Sequence, residues 1–533
     1  MKNIFSSEYG VYLEAEGKNI FVASGRGGTI GVSRSVIEKK ENEIVMQVEL
    51  SNTGKEDILV KSIVVAEFLL IGKVEKVLEN GWGQSSFSGY RTQINKTKRK
   101  IFVLKRDQNP NSFVKSFGYL EGSMVNEWFT QVIFSERSCV IGAVTSANQF
   151  TQIYLKENNK GLKVRITCQM DDLILKPGKK MVSEKIAFVW WRETRRTLEN
   201  FADLIKKYSN TRSVENPPVG LCCAYYFQGN IVSEEYLRSQ LRSLFLFLGK
   251  TDLKYVEIDA GYCTWGDWLE INNSFPSGMK VMVNEIRKMG LKAGIWFAPY
   301  VADPRSNLYK QHPDWFLRNK QGRAIEGRLS SPLDYLPQLS LKVLDPTHPE
   351  VQTYIRKVVK QFMDWGFEML KIDFTYPVCF SNRYFLPVTR ARALRMGFEV
   401  IRSVAGEKVF LMSAISQLSP LVGVVDSARV GIDTLNPYVS KIPIFGKMIN
   451  GYMFKESMRN NSARLFLNGK VWINDADCFV GRKGAGLSHS QVDEQFEFMK
   501  KYKGAVWVGD SFKTMTKSNL DRYTDLFKKK LRK

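Results

Sequence analysis

The stretch FEMLKIDFTY, residues 367–376, decides how the second half of the chain is read. It is an apolar run of the length of one buried strand, yet Lys371 and Asp373 stand inside it, two residues apart. Side chains alternate along a strand, so both charges point to the same face. A core strand has no use for them. The carboxyl end of a barrel strand does, because that end opens on a cavity.

Around this stretch, after Pro218, the chain alternates strand and helix. The strand windows are VGLCCAYYF (219–227), KYVEIDAG (254–261), KAGIWFAPY (292–300), FEMLKIDF (367–374), KVFLMSAI (408–415), SARVGID (427–433), KVWIND (470–475) and AVWVGDS (505–511). Helical stretches such as SGMKVMVNEIRKMG (277–290) and HPEVQTYIRKVVKQFMDWG (348–366) lie between them. The second opens on DPTHPE, with Pro349 in the first turn, where its missing N–H costs nothing. Eight alternating units predict a (β/α)8 TIM barrel with insertions. The alternative is a doubly wound open sheet, which would carry a glycine-rich phosphate turn after its first strand; none is present.

Upstream the rhythm is different. Short alternating runs such as EIVMQVEL, DILVKSIVV, WFTQVIF and KIAFVWW, separated by polar turns, predict an N-terminal β-sandwich over 1–193. Residues 194–217 read as a helical linker that VENPP (214–218) breaks, and 218–533 as the barrel.

Composition narrows the function classes. Net charge is +24, but the basic residues are spread, and the longest runs are KTKRK (96–100) and KKKLRK (528–533). Without a nucleic-acid-binding motif they read as a solvated surface, so no nucleic-acid partner is expected. Seven cysteines match no metal or disulfide spacing. The N-terminus lacks an apolar signal core and no run reaches the length of a membrane span, so a cytoplasmic chain with no membrane partner is expected. Only three histidines occur, at 312, 348 and 489. A Ser-His-Asp triad or a His-ligated metal is therefore disfavoured, carboxylates become the expected proton carriers, and no cofactor or metal is called for.

Several strand windows carry an acid at or near their carboxyl ends, among them Asp259, Asp373, Asp433 and Asp475. A single Asp after a strand is usually the cap of the next helix. Several acids on one rim point instead to chemistry. Lys371 beside Asp373 favours the ionised carboxylate, as a nucleophile toward an anomeric carbon requires. Asp433, four residues after Arg429, would serve as acid/base. Glycoside hydrolysis needs such a pair flanking the bond. Trp82, in the glycine- and serine-rich segment ENGWGQSSFSGYR, is either an ordinary packed tryptophan or an aromatic laid over the barrel mouth.

The segment VEIDAGYCTWGDWLEINNSFPSGMKVMVNEIRKMGLKAGIWFAPYVADPRSNLYKQHPDWFL (256–317), with LDPTHPEVQ, WGFEMLKIDF, VDSARVGID and VWINDADC in order, resembles the barrel core of clan D α-galactosidases, in particular glycoside hydrolase family 36. The similarity runs from about 218 to 515, and the NGW loop resembles that family's first domain. The resemblance implies a β-supersandwich followed by a (β/α)8 barrel, with the usual C-terminal β domain missing or vestigial. It implies retaining hydrolysis of α-galactosides without metal, with Asp373 as nucleophile and Asp433 as acid/base. It further implies Lys371 and Arg429 on sugar hydroxyls, Trp296 lining the pocket, and Trp82 closing it from the other domain. The family's habit leaves room for a homo-oligomer.

Two positions depart from that pattern. The second strand usually ends in two adjacent Asp that accept hydrogen bonds from the galactose 4- and 6-hydroxyls; here Asp259 is followed by Ala260. The first strand usually reads Cys-Ser-Trp-Tyr; here CCAY puts Ala224 at the Trp position and keeps Tyr225 as a substrate-binding residue. An unpaired sugar hydroxyl in a dry site costs roughly 1–3 kcal/mol. The expected function is a retaining α-glycosidase on an oligosaccharide or glycoside, with a glycone that need not be plain galactose. The alternatives are a raffinose-synthase-like transglycosylase on the same site and a non-catalytic carbohydrate- or nucleic-acid-binding protein.

Overall fold

A computed structural model describes residues 13–14, 22–24, 30–92, 94, 123–212, 217–223, 232–245, 252–328, 340–436, 439, 442, 444–482, 484–512 and 515–527. Tyr225, Ala224 and both basic runs lie outside these residues.

The N-terminal part is two antiparallel sheets, one of six strands and one of eight. The long strands Ile58–Leu70 and Gly161–Leu175 pair at the centre of the first. Ile186–Trp191 and Ser138–Ala143 pair in the second. Phe68 of one sheet meets Phe188 of the other edge-on at 5.6 Å, so the alternating apolar faces close on one core. The helix Thr194–Tyr208 lays Leu198, Phe201, Ala202 and Ile205 inward, with Phe201 5.9 Å from Phe129 of the second sheet.

Downstream, eight parallel strands close a barrel: β1 (Val219–Cys222), β2 (Tyr255–Ile258), β3 (Lys292–Phe297), β4 (Met369–Ile372), β5 (Phe410–Ser413), β6 (Ser427–Arg429), β7 (Ile473–Phe479) and β8 (Ala505–Val508), with β8 pairing back to β1. Seven of these strands fall inside their sequence windows, and β7 overlaps its window. A small three-stranded sheet, Val301–Ala302, Glu326–Arg328 and Ser340–Val343, is inserted between β3 and β4. The helix Pro349–Trp365 starts as its sequence dictates, with His348 as N-cap and Pro349 in the first turn, and Gly366 ends it at φ 98°. Among the described residues no helix is long and apolar enough to cross a membrane.

The seventh window requires correction. The strand begins at Ile473 and runs to Phe479, so Asp475 lies inside it, not at its end. Trp472, read as strand, packs 5.7 Å from Trp128 of the sandwich, and a bulge between Asp475 and Cys478 extends the strand past the window.

The lower barrel is an apolar plug of Met369, Phe410, Met412, Ile473, Ala505 and Trp507. Gly220 makes room for it, since a Cβ there would lie 2.2 Å from the Trp507 ring. Inward residues climb β4 as Met369, Lys371 and Asp373, while Leu370 and Ile372 join the outer core.

The sandwich touches the carboxyl end of the barrel. Gln84 N donates to Ser416 O at 3.1 Å, and Ser419 Oγ donates to Glu127 Oε1 at 2.5 Å. Both serines follow β5.

Candidate active site

Two charge clusters occupy the upper barrel. The lower one is built on β1, β2 and β4. Lys371 Nζ donates to Asp259 Oδ2 at 2.6 Å and lies 3.6 Å from both Glu257 Oε1 and Cys222 Sγ. All four side chains are buried. Glu257 and Asp259 are two residues apart on β2 and its end, the same spacing as Lys371 and Asp373. Burial raises the Glu257 carboxyl well above its ordinary range. Burial also opposes the Asp259 charge, but Lys371, Glu257 and the Ala260 amide together hold Asp259 low. Burial disfavours the Lys371 ammonium too, and Asp259, Cys222 and Glu257 outweigh it. The cluster is thus an Asp259–Lys371 ion pair with Glu257, whose charge burial opposes, beside it. Cys222, Glu257 and Asp259 have the spacing of a metal-ligand set, but the ammonium already supplies their positive charge.

The upper cluster centres on Arg429 at the end of β6. Its Nε bonds Asp475 Oδ2 at 2.9 Å, Nη2 lies 2.8 Å from Asp477 Oδ1, and Nη1 bonds Asp433 Oδ1 at 3.1 Å. Asp475 and Asp477 are fully buried, whereas 38% of the Asp433 side chain is reachable by solvent. The β7 bulge swings Asp477 inward at φ 72°. Close protein walls, then the Asp477 charge, push Asp433 up to about 7, against the pull of Arg429.

Asp373 stands between the clusters, 6% exposed. Its Oδ2 accepts from Trp296 Nε1 at 2.9 Å and its Oδ1 from Phe374 N at 2.7 Å. Burial raises its pKa, while Lys371, these two donors and Arg429 counter it. Trp296 packs 4.9 Å from Trp265 and 5.9 Å from Trp268, and Phe374 lies 5.3 Å from Trp265. An aromatic wall therefore backs one side of the carboxylate.

Three residues with strained backbone lie at the same place. Phe374, Ile415 and Asp477, at or near the ends of β4, β5 and β7, hold φ values of 49°, 36° and 72°. Such non-glycine conformations persist where the surroundings over-determine them, and they cluster at functional sites.

The structure thus gathers Asp259, Trp296, Lys371, Asp373, Arg429 and Asp433 on one rim. Trp82 packs edge-on to Phe150 at 5.8 Å and is 9% exposed. The backbone of its loop bonds the rim at Gln84. Glu257, Asp477 and Trp265 are site residues that the sequence reading passes over. Glu257 and Asp477 had a usable signal, a carboxyl two residues from Asp259 and from Asp475. Trp265 had none beyond its position after β2.

Six carboxyls, Glu257, Asp259, Asp373, Asp433, Asp475 and Asp477, face two cations, Lys371 and Arg429. Acidic groups thus outnumber basic ones three to one around the site, an arrangement that suits positive charge developing on a bound molecule.

Comparison with known proteins bears on the family and the fold. The Melibiase family profile matches residues 258–379, which carry the last residue of β2, all of β3 and β4, and Asp373. The α-galactosidase AgaA of Geobacillus stearothermophilus is 36% identical over 70 residues, 13% of this chain and 10% of that protein. The A type blood α-D-galactosamine galactosaminidase of Flavonifractor plautii is 28% identical over 149 residues, 26% of this chain and 14% of that protein. The aligned parts are therefore small fractions of these relatives. In fold, the likeness is nearly complete. The α-galactosidase from Thermus thermophilus in complex with stachyose superposes with a TM-score of 0.66 at 21% identity, over 91% of this chain and 97% of that one. Residues 258–379 match the Melibiase family, in a chain that has the sandwich-and-barrel fold seen in glycoside hydrolase family 36 α-galactosidases.

Proposed function

We propose that the chain is a retaining glycosidase acting on α-galactosides or closely related α-glycosides. Asp373 attacks the anomeric carbon while Asp433 gives its proton to the glycosidic oxygen, and the aglycone leaves as an alcohol. Asp433, now a carboxylate, takes a proton from water, whose oxygen displaces Asp373 and frees the sugar. Asp259, Trp296, Lys371, Arg429, Trp82 and Tyr225 form the proposed sugar-binding set, and 1–193, 194–217 and 218–533 the proposed domain boundaries.

The observation that carries this reading is the contrast between the two carboxyls. Asp373 is held at both oxygens by N–H donors near Lys371, as an aimed nucleophile requires. Asp433 is pushed up to about 7 and is open to the barrel mouth, as a proton donor requires. The excess of carboxyls over cations around them favours the oxocarbenium-like transition state.

A panel of nitrophenyl α- and β-glycosides tests it, with Asp373→Asn as control. It includes α-galactoside, α-N-acetylgalactosaminide and β-L-arabinopyranoside. Turnover of at least one galacto-configured glycoside, abolished by Asp373→Asn, supports the reading. Inactivity across the panel contradicts it.

A further inference from the structure

Arg464 follows the helix Phe445–Ala463, fully buried where sandwich meets barrel. Its Nε donates to Asn80 Oδ1 at 2.9 Å, Nη1 to Gln84 O and Val430 O at 2.8 Å each, and Nη2 to Gly83 O at 3.1 Å. Asn460, one turn earlier, reinforces the same seam. Its Nδ2 donates to Ser86 O at 2.9 Å and its Oδ1 accepts from Ser88 N at 2.9 Å. Asn474 of β7 donates to the Arg464 carbonyl at 3.0 Å.

These acceptors are neutral, with Glu127 the nearby carboxyl, and a buried guanidinium with no carboxylate bonded to it is costly to retain. They also fall in just two places. Asn80, Gly83 and Gln84 belong to the sandwich loop that carries Trp82. Val430 lies between Arg429 and Asp433. One side chain thus ties the sandwich loop to the backbone that aims the candidate acid/base.

We propose that Arg464 is a positioning residue that clamps the 80–86 loop onto the end of β6 and so holds Asp433 in line for proton transfer. The proposal rests on Asp433 being the acid/base. It makes proton donation depend on docking of the N-terminal domain. A purely structural arginine would affect all substrates alike; a clamp on Asp433 affects those whose leaving group needs a proton.

The test uses the full chain with Arg464→Met and Arg464→Lys. Amide hydrogen exchange is followed in peptides covering 80–88 and 427–434, with 349–365 as internal reference. In Arg464→Met, exchange is expected to rise at least about tenfold in both segments and not in the reference. On an alkyl α-glycoside, kcat/KM is expected to fall about a hundredfold, the scale of a 1 Å misplacement. On the dinitrophenyl glycoside, which leaves without a proton, it should fall less than about threefold. Arg464→Lys should recover part of the alkyl activity. If Arg464→Met does not fold, Asn80→Ala removes one acceptor and should give the same pattern at smaller amplitude. Exchange that rises in 80–88 alone, or equal losses on both substrates, would overturn the proposal. A wild-type chain inactive on every glycoside would contradict the acid/base assignment, and the exchange result would then decide the clamp by itself.

Discussion

Trp296 and Asp373 are joined by a 2.9 Å hydrogen bond from the indole Nε1 to Oδ2, inside a site where both side chains are buried. The register of the barrel puts them there: Trp296 on β3 pairs with Lys371 on β4, and Asp373 follows one residue past the end of β4. With Phe374 N on the other oxygen, the carboxylate has one orientation.

Trp296→Phe keeps the ring against Trp265 and Trp268 but removes the donor. A hydrogen bond to a charged group contributes about 1.5–3 kcal/mol. The expected result is a 10- to 100-fold loss in kcat with little change in thermal midpoint. The acidic limb of the pH profile should move to higher pH, because Asp373 ionises less readily without the indole. A pH series of kcat checks both.

The alkaline limb should report Asp433. It faces Arg429, Asp477, Asp373 and Lys371, and its carboxyl is pushed up to about 7. The acid step needs it protonated, so kcat/KM for a poor leaving group should fall as pH rises through about 7. Asp433→Asn should remove that limb and spare the dinitrophenyl substrate far more than the alkyl one.

Arg429→Met leaves Asp433, Asp475 and Asp477 facing one another without their cation. Breaking one side of a buried charge network costs about 3–5 kcal/mol. Denaturant unfolding should show a loss on that scale, and Arg429→Lys, which cannot reach three carboxylates at once, should recover only part of it.

Glu127 gives the domain seam a pH response. Burial pushes it up to about 8 from an ordinary 4.5, with Ser419 and Arg464 opposing. Its folded-state pKa is raised, so its contribution is complete below about 4.5 and is lost as pH rises to about 8. The thermal midpoint of the wild type should fall across that window, and Glu127→Gln should flatten the fall. A midpoint that rises with pH there, or an unchanged slope in the variant, contradicts this.

Ala260 marks where the grip on the sugar departs from the α-galactosidase pattern. Its amide donates to Asp259 Oδ1 at 2.8 Å and its side chain is partly exposed beside the site. Ala260→Asp should favour a glycone with a free 6-hydroxyl by about 1–3 kcal/mol, or roughly 5- to 150-fold in the kcat/KM ratio of α-galactoside to β-L-arabinopyranoside. An unchanged ratio would remove Ala260 from the specificity determinants.

Much of this site is legible along single strands and little of it across them. Period-two spacing puts Lys371 and Asp373 on one inward face, and the same rule applied to Glu257 and Asp259 would have found Glu257 beside the ion pair. The strand windows overrun at their carboxyl ends because residues such as Ala414 and Ile415 stay apolar after the ladder stops. At β7 the error has a different cause: Trp472 is claimed by the sandwich core, and a bulge, which no periodicity encodes, pushes Asp477 onto Arg429. Arg464 and Asn80 are 384 residues apart in sequence. No local pattern announces such a contact, and a buried arginine between two carbonyl-rich segments is visible only once the domains are docked.

The central claim is that Asp373 is the nucleophile, and rescue of Asp373→Gly by azide tests it most directly. The account predicts that the variant is inactive alone on an activated α-galactoside and that azide restores turnover, yielding the β-galactosyl azide of inverted configuration. An active wild type whose Asp373→Gly variant stays silent at high azide, or yields only the α-azide, would contradict it.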